Sequence, residues 1–136
     1  MKPIGYWLNR TDHAITHYMQ NTLGEFGLTR LAWQVLNVVR DGSDVPDTEV
    51  HSVLFANAPE ADRTAAIALV LADGWAQRPS PDHLALTDDG LDRLVKVAAQ
   101  VNTFREVSMT GISDDEYRTA VSVLERMTQN LESNAK

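Results

Sequence analysis

One short segment in the middle of the chain constrains the fold more than any other feature, because it interrupts an otherwise helical pattern. Residues 75–78 and 84–86 are typical of two short strands, and the Pro-Ser-Pro-Asp-His sequence between them is typical of a tight connection. The sequence therefore predicts one small hairpin inside a mainly helical protein.

Helical periodicity lies on both sides of this hairpin. Apolar residues spaced three and four apart predict four helices before it and two after it. Residues that cap helix N-termini precede several of them: Thr29, Thr87, Ser113 with Glu116 as a capping box, and Asn57 with Pro59 inside the first turn. The predicted helices cover residues 4–26, 30–40, 47–56, 59–73 and 88–109, and a sixth opens at 113–116.

This order of elements has a structural consequence. Helix–turn–helix followed by a two-stranded wing is a winged helix. The long first helix and the last two helices carry more apolar surface than one small domain covers, and a second copy of the chain would bury it. We therefore expect a homodimer.

The net charge of the chain is concentrated in one segment. Residues 44–90 contain nine acidic residues and two basic ones, Arg63 and Arg78, which gives this segment the same charge of −7 as the whole chain. Phosphate contacts need basic surface, so this acidity argues against generic nucleic-acid binding.

Composition excludes several other classes of protein. The absence of cysteine excludes a disulfide scaffold, a thiolate metal site and a cysteine nucleophile. No apolar run approaches the length of about 18 residues that a membrane span needs, and the N-terminus lacks the features of a signal peptide. We expect a soluble, cytoplasmic protein with no membrane partner.

Four segments resemble the MarR family of bacterial transcriptional regulators. Residues 28–36 have its Leu-Thr pair followed by an aromatic residue and Val-Leu, and residues 86–90 have its Leu-Thr-x-x-Gly sequence. Residues 111–116 resemble its apolar-Ser-x-x-Glu helix start, and residues 5–10 fit the start of its first helix. The segments follow one another in the family's order over nearly the whole chain.

The resemblance implies one MarR-like domain over residues 1–136, mainly α with a small β-wing. Its helical dimerisation parts would be about 1–28 and 88–136, and its winged-helix lobe about 29–87. The fourth helix would enter the major groove of DNA, and the wing would reach the minor groove. A small aromatic or phenolic ligand would bind between the dimerisation region and the lobe.

The predicted DNA-reading parts depart from the family's pattern. The wing has no Arg or Lys between Pro79 and Leu84, and the fourth helix has eight consecutive apolar residues at 65–72. A groove-reading helix needs a polar face, whereas a helix that is apolar all round is normally buried. We expect DNA binding to be weak, salt-sensitive or restricted to one strong sequence, with contacts from Arg63, Thr64, Arg78 and His83.

A second stripe of polar and aromatic residues lies on the first helix. Tyr6, Arg10, His13 and His17 are spaced four, three and four residues apart, which places them on one face. Arg10 would bind a carboxylate, a histidine would bond a phenol oxygen, and Tyr6 and Trp33 would stack on an aromatic ring. The stripe is therefore the predicted ligand site.

Other interpretations of this stripe remain open. Its residues could flank a dimer interface, His13 and His17 could chelate a metal, or both histidines beside Arg10 could carry out acid–base chemistry on a bound phenol. The sequence offers no third metal ligand nearby and no nucleophile elbow, phosphate loop or paired-carboxylate motif, so it predicts no metal and no cofactor and gives no independent support for an enzyme.

The acidic lobe also supports a second function hypothesis. A MarR-fold protein that has lost DNA binding would use its cleft for ligand binding or catalysis, or its lobe for a protein partner, because a fold does not by itself establish a function.

Overall fold

A computed structural model describes residues 1–135 and confirms a mainly helical fold with a small wing. Both predicted strands and all six predicted helices are present, with boundaries that differ by a few residues. The elements in chain order are α1 (Ile4–Gly24), α2 (Arg30–Gly42), β1 (Val45–Pro46), α3 (Asp47–Val53), α4 (Glu60–Ala72), β2 (Ala76–Gln77), β3 (His83–Leu86), α5 (Asp88–Ser108) and α6 (Asp114–Ser133).

The wing is part of a three-stranded antiparallel sheet in the order β1-β3-β2. Ala76 pairs with Leu86 in the predicted hairpin, and Val45 of β1 pairs with Leu84 on the other side of β3. The sequence predicted a turn ahead of α3 and missed β1. A two-residue strand has too few positions to show an alternating pattern, and its pairing partner lies far along the chain.

The core of the lobe forms where α2 packs against α4 and β3. Its side chains come from every element of the lobe, and Trp75, between α4 and β2, is the largest fully buried one. This core fixes the positions of α3, α4 and the wing relative to each other. Its fully buried members include Val35, Leu36, Val39, Val45, Val50, Val70, Trp75 and Leu84.

The chain divides into two compact units, Met1–Phe104 and a second one that begins at Arg105. The first contains α1 to α4, the sheet and most of α5, and the second contains the end of α5 and α6. Within residues 1–135, no helix is long and apolar enough to cross a membrane.

Three of the four predicted helix caps are confirmed. Thr29 Oγ1 accepts a hydrogen bond from the Ala32 amide at 3.1 Å, and Thr87 Oγ1 accepts one from the Gly90 amide at 2.8 Å. Ser113 and Glu116 form the complete capping box. These caps link residues only three positions apart, so the local sequence determines them.

The predicted cap at Asn57 is wrong. The Asn57 amide donates to the carbonyl oxygen of Leu54 at 2.9 Å, which places Asn57 in the turn that follows α3. Helix α4 begins at Glu60 after Pro59, and no side chain caps it. The Pro59 carbonyl instead accepts from the amides of Asp62 and Arg63.

Candidate nucleic-acid interface

Helix α4 is buried on one side only, although eight consecutive residues of it are apolar. Ala66, Ile67 and Val70 are buried in the core, whereas Ala65 and Leu69 are exposed. The expectation that an all-apolar helix is buried all round is therefore wrong for this segment. The outer face of α4 is formed largely by small alanine side chains. The exposed polar side chains of α4 are Glu60, Asp62 and Thr64, and they lie in its first turns.

The guanidinium of Arg63 is directed into the lobe. Arg63 is only 6% exposed, and its Nε donates to Nδ1 of His51 in α3 at 3.0 Å. Its Nη1 donates to the carbonyl oxygens of Phe55 and Ala58 at 3.2 and 2.6 Å. Arg63 therefore links α3, the turn and α4, which differs from the outward DNA contact expected from the sequence.

The other arginine of segment 44–90 is also held by protein groups. Arg78 donates from Nη1 and Nη2 to the two carboxylate oxygens of Asp47 at 3.0 and 3.1 Å, and from Nη1 to the His83 carbonyl at 3.3 Å. The hydrogen bonds to Asp47 raise the pKa of Arg78, because they stabilise the charged guanidinium. Arg78 thus joins the wing to the first turn of α3.

His83 lies beside this ion pair, at the start of β3. Its Nδ1 is 2.9 Å from Oδ1 of Asp44, and its side chain is partly exposed. Of the four residues predicted to contact DNA, Thr64 is the one with an exposed side chain on α4, and the other three bond to groups within the lobe.

The protein partners of these residues were not found from the sequence. His51 is 12 positions from Arg63, and Asp47 is 31 positions from Arg78. Neither separation corresponds to a helical or strand repeat, so periodicity gave no sign of either pair. The local excess of acidic residues was the one available indication, and it concerned only Arg78.

The predicted ligand stripe lies on the exposed side of α1. Arg10 Nη1 donates to the Tyr6 hydroxyl at 3.0 Å, and His17 Nε2 is 3.3 Å from Asn21 Nδ2. His13 is exposed between these pairs, and Trp33 is half-buried on α2, packed against the core. The structure therefore brings Tyr6 and Arg10 together and directs His17 to a different neighbour.

His17 also lines an open pocket between α1 and α5. The pocket has a volume of about 430 Å³, and its walls combine polar and apolar surface. Within residues 1–135, no group of three or more histidine, aspartate or glutamate side chains is placed to hold a metal ion. The lining residues are Ala14, His17, Tyr18, Asn21, Thr22, Glu25 and Gln100.

The arrangement of α3, the turn and α4, followed by a hairpin, defines a winged helix-turn-helix protein. Sequence comparison finds no matching protein-family model and no matching curated protein. Comparison with solved structures, in contrast, gives matches over nearly the whole chain.

Three of these structures illustrate the likeness. A variant of Escherichia coli MarR in complex with operator DNA is 18% identical, with a TM-score of 0.74 over 92% of this chain and 93% of that one. A Mycobacterium tuberculosis MarR family protein in complex with DNA is 18% identical, with a TM-score of 0.73 over 93% and 98%. A further transcriptional regulator is 22% identical, with a TM-score of 0.73 over 97% and 100%. The chain has the MarR-type winged helix-turn-helix fold.

Proposed function

We propose that the protein is a MarR-type transcriptional regulator that binds DNA as a homodimer. The observation that carries this proposal is the complete winged helix-turn-helix, in which the first turns of α4 are exposed beside a formed wing. Two structures with the same fold are complexes with DNA. In this proposal α4 enters the major groove and the wing contacts the adjacent backbone.

The contacts within the lobe define how each residue would take part. Thr64 contacts DNA directly from α4, while Arg63 holds α4 in place. Arg78 reaches a phosphate only by exchanging its bonds to Asp47, and His83 does so only by leaving Asp44. Each exchange lowers the net gain from a phosphate contact, so we expect weak binding.

Operator selection with the purified protein tests this proposal. A selected fragment, or the protein's own promoter, is titrated at about 50 mM and about 200 mM salt, and binding is followed by fluorescence anisotropy. We expect binding at the lower salt concentration that Thr64→Val weakens and Thr128→Val on α6 leaves unchanged. If no fragment binds at low salt, the proposal is wrong.

A second candidate function is that of a MarR-fold protein without DNA binding. It is favoured by one observation: both arginines of segment 44–90 bond to protein groups, while Glu60 and Asp62 are exposed on the first turn of α4. The lobe would then bind a protein partner, or the cleft would serve ligand binding or catalysis. Nanomolar binding to a specific operator at physiological salt contradicts this candidate.

The homodimer is supported by apolar side chains that the single chain leaves exposed. Helix α6 has no buried residue, although Tyr117, Val121 and Leu131 lie along it. Ile4 and Trp7 near the start of α1 are each 48% exposed. A second copy would remove these side chains from water, which is the main driving force for association.

A small aromatic acid is the proposed ligand. Arg10 and the Tyr6 hydroxyl converge on α1, where the guanidinium can bind a carboxylate and the adjacent rings can stack on an aromatic group. Calorimetric titration with a hydroxybenzoate tests this, and Arg10→Gln should weaken binding while Arg126→Gln should not. Equal affinities of the two variants argue against Arg10 as a ligand contact.

A further inference from the structure

One partly buried hydrogen bond joins the two helices of the helix-turn-helix and depends on an uncharged imidazole. The Nε of Arg63 always carries a proton and points at Nδ1 of His51 at 3.0 Å. Nδ1 therefore accepts this hydrogen bond, and the neutral ring has its proton on Nε2. With a proton on Nδ1, two N–H donors would point at each other and this hydrogen bond could not form.

The guanidinium of Arg63 has little freedom to move away from His51. Its Nη1 donates to the carbonyl oxygens of Phe55 and Ala58 in the turn, and its Cζ lies 5.5 Å from the centre of the Phe55 ring. Withdrawing the side chain would leave these carbonyls without their donor. The position of α4 against α3 therefore depends on the charge of His51.

Among residues 1–135, the pair formed by His51 and Arg63 has no acidic partner. In the part of the chain that the structure describes, no carboxylate bonds to His51 or Arg63, and β1 has no titratable residue. On α3 itself, Asp47 is bound by Arg78 and Glu49 is exposed. The charged residues of the neighbouring helices are exposed, namely Arg30, Arg40 and Asp41 on α2 and Glu60 and Asp62 on α4.

We propose that His51 and Arg63 form a proton-sensitive clamp that positions α4 against α3, so that acidification weakens DNA binding by loosening this pair of helices. This inference rests on the proposed DNA-binding function. Arg63 acts here as a positioning residue. Protonation converts the acceptor into a donor and places two cations within hydrogen-bond distance.

The test compares DNA binding at constant ionic strength between about pH 8 and about pH 5, the range in which histidine changes charge. In His51→Asn, the amide oxygen can accept from Arg63 near the position of Nδ1 and does not titrate. We expect the affinity of the unmodified protein to fall about tenfold or more on acidification, because a hydrogen bond to a charged group is lost. His51→Asn should remove this fall, and His13→Asn should keep it.

Two measurements separate failure of the clamp from failure of the proposed function. If no DNA binds at any pH, the melting temperature without DNA tests the clamp alone, and acid should lower it more in the unmodified protein than in His51→Asn. An equal pH dependence in both proteins overturns the clamp. If His51→Asn does not fold, a pH titration of the unmodified protein followed by NMR decides. The chemical shifts of the amides of residues 55–58 must change over the same pH range as those of the His51 imidazole. A change over a different pH range overturns the proposal.

Discussion

Arg63 is the one charged side chain buried among the described residues of the lobe, and it bonds to two backbone carbonyls and one imidazole. Arg63→Ala removes these hydrogen bonds and leaves the acceptors unpaired. We expect it to lower the free energy of unfolding by about 2–4 kcal/mol. Urea denaturation measures this loss.

Arg63→Lys is the matched control for charge. Lysine keeps the positive charge but cannot reproduce the guanidinium geometry, so it should recover only a small part of the lost stability. Surface substitutions usually change the free energy of unfolding by no more than about 0.5 kcal/mol. If Arg63→Ala stays within that range of the unmodified protein, these hydrogen bonds do not hold the lobe together.

Gly90 is required by a close approach between two backbone segments. A Cβ atom at this position would overlap the carbonyl oxygen of Trp75, whereas a Cβ at Gly5 on α1 would meet no atom within 4 Å. We expect Gly90→Ala to destabilise the protein by about 1–3 kcal/mol and Gly5→Ala to stabilise it by up to about 1 kcal/mol. Thermal unfolding gives both signs, and a shift in the same direction for both variants contradicts this account.

The wing is attached to α3 by the bidentate bonds between Arg78 and Asp47. Asp47→Asn removes the negative charge that competes with phosphate for this arginine. We expect tighter DNA binding, and a plot of log affinity against log salt whose slope is steeper by about one.

Asp115→Asn on α6 controls for the change in net charge. Asp115 is 94% exposed and lies 3.7 Å from Arg118, so its removal alters the total charge without freeing Arg78. Both variants are titrated against the same DNA over a series of salt concentrations. An effect of equal size in the two variants would assign the gain to net charge alone.

The start of α6 has a pH dependence whose sign follows from its capping box. The hydrogen bond from the Ser113 backbone amide, and then that involving its side chain, lower the pKa of Glu116. A carboxylate whose pKa is lowered by folding stabilises the helix above the pKa of the unfolded chain. That contribution is lost as the pH falls through the lower, folded pKa.

We therefore expect NMR titration of the Glu116 carboxyl to give a midpoint below that of an ordinary glutamate. The first turn of α6 should fray as this group becomes protonated. In Ser113→Ala the midpoint should move back toward the ordinary value, because the side-chain bond is lost. An unchanged midpoint in Ser113→Ala would show that the serine side chain has no part in the shift.

The proposed homodimer makes a prediction for the whole molecule. Val121 and Leu131 are exposed on α6, at 46% and 68%. A double substitution, Val121→Glu with Leu131→Glu, places two charges on this apolar face and should convert a dimer into monomers. Ser122→Glu, on the opposite face of the same helix, should leave the dimer intact. Sedimentation velocity distinguishes these results, and a chain that is monomeric before substitution contradicts the dimer.

The acidic residues of segment 44–90 set the net charge of the lobe. Arg63 is buried, and Arg78 is exposed but paired with Asp47, so neither arginine of segment 44–90 is free to offset the remaining acidic residues. For this reason the −7 net charge bears on DNA binding more strongly than a count of residues suggests.

Features that depend on neighbours a few residues apart could be predicted from the amino-acid sequence. Apolar periodicity placed the six helices, two short strand-like segments around a proline-rich turn placed the hairpin, and Thr29, Thr87 and Ser113 marked helix starts. The order of these elements, a helix-turn-helix followed by a wing, came from the same local signals, and four short segments carried the resemblance to the MarR family.

The bonding partners of the charged side chains in the lobe, in contrast, depend on tertiary packing. It paired β1 with β3, placed Asn57 in a turn, and directed Arg63 to His51 and Arg78 to Asp47. These contacts join residues that are adjacent only after the lobe has packed, and no short-range repeat encodes them. The sequence could therefore locate the acidic lobe, but packing determined which protein groups its two arginines bond to.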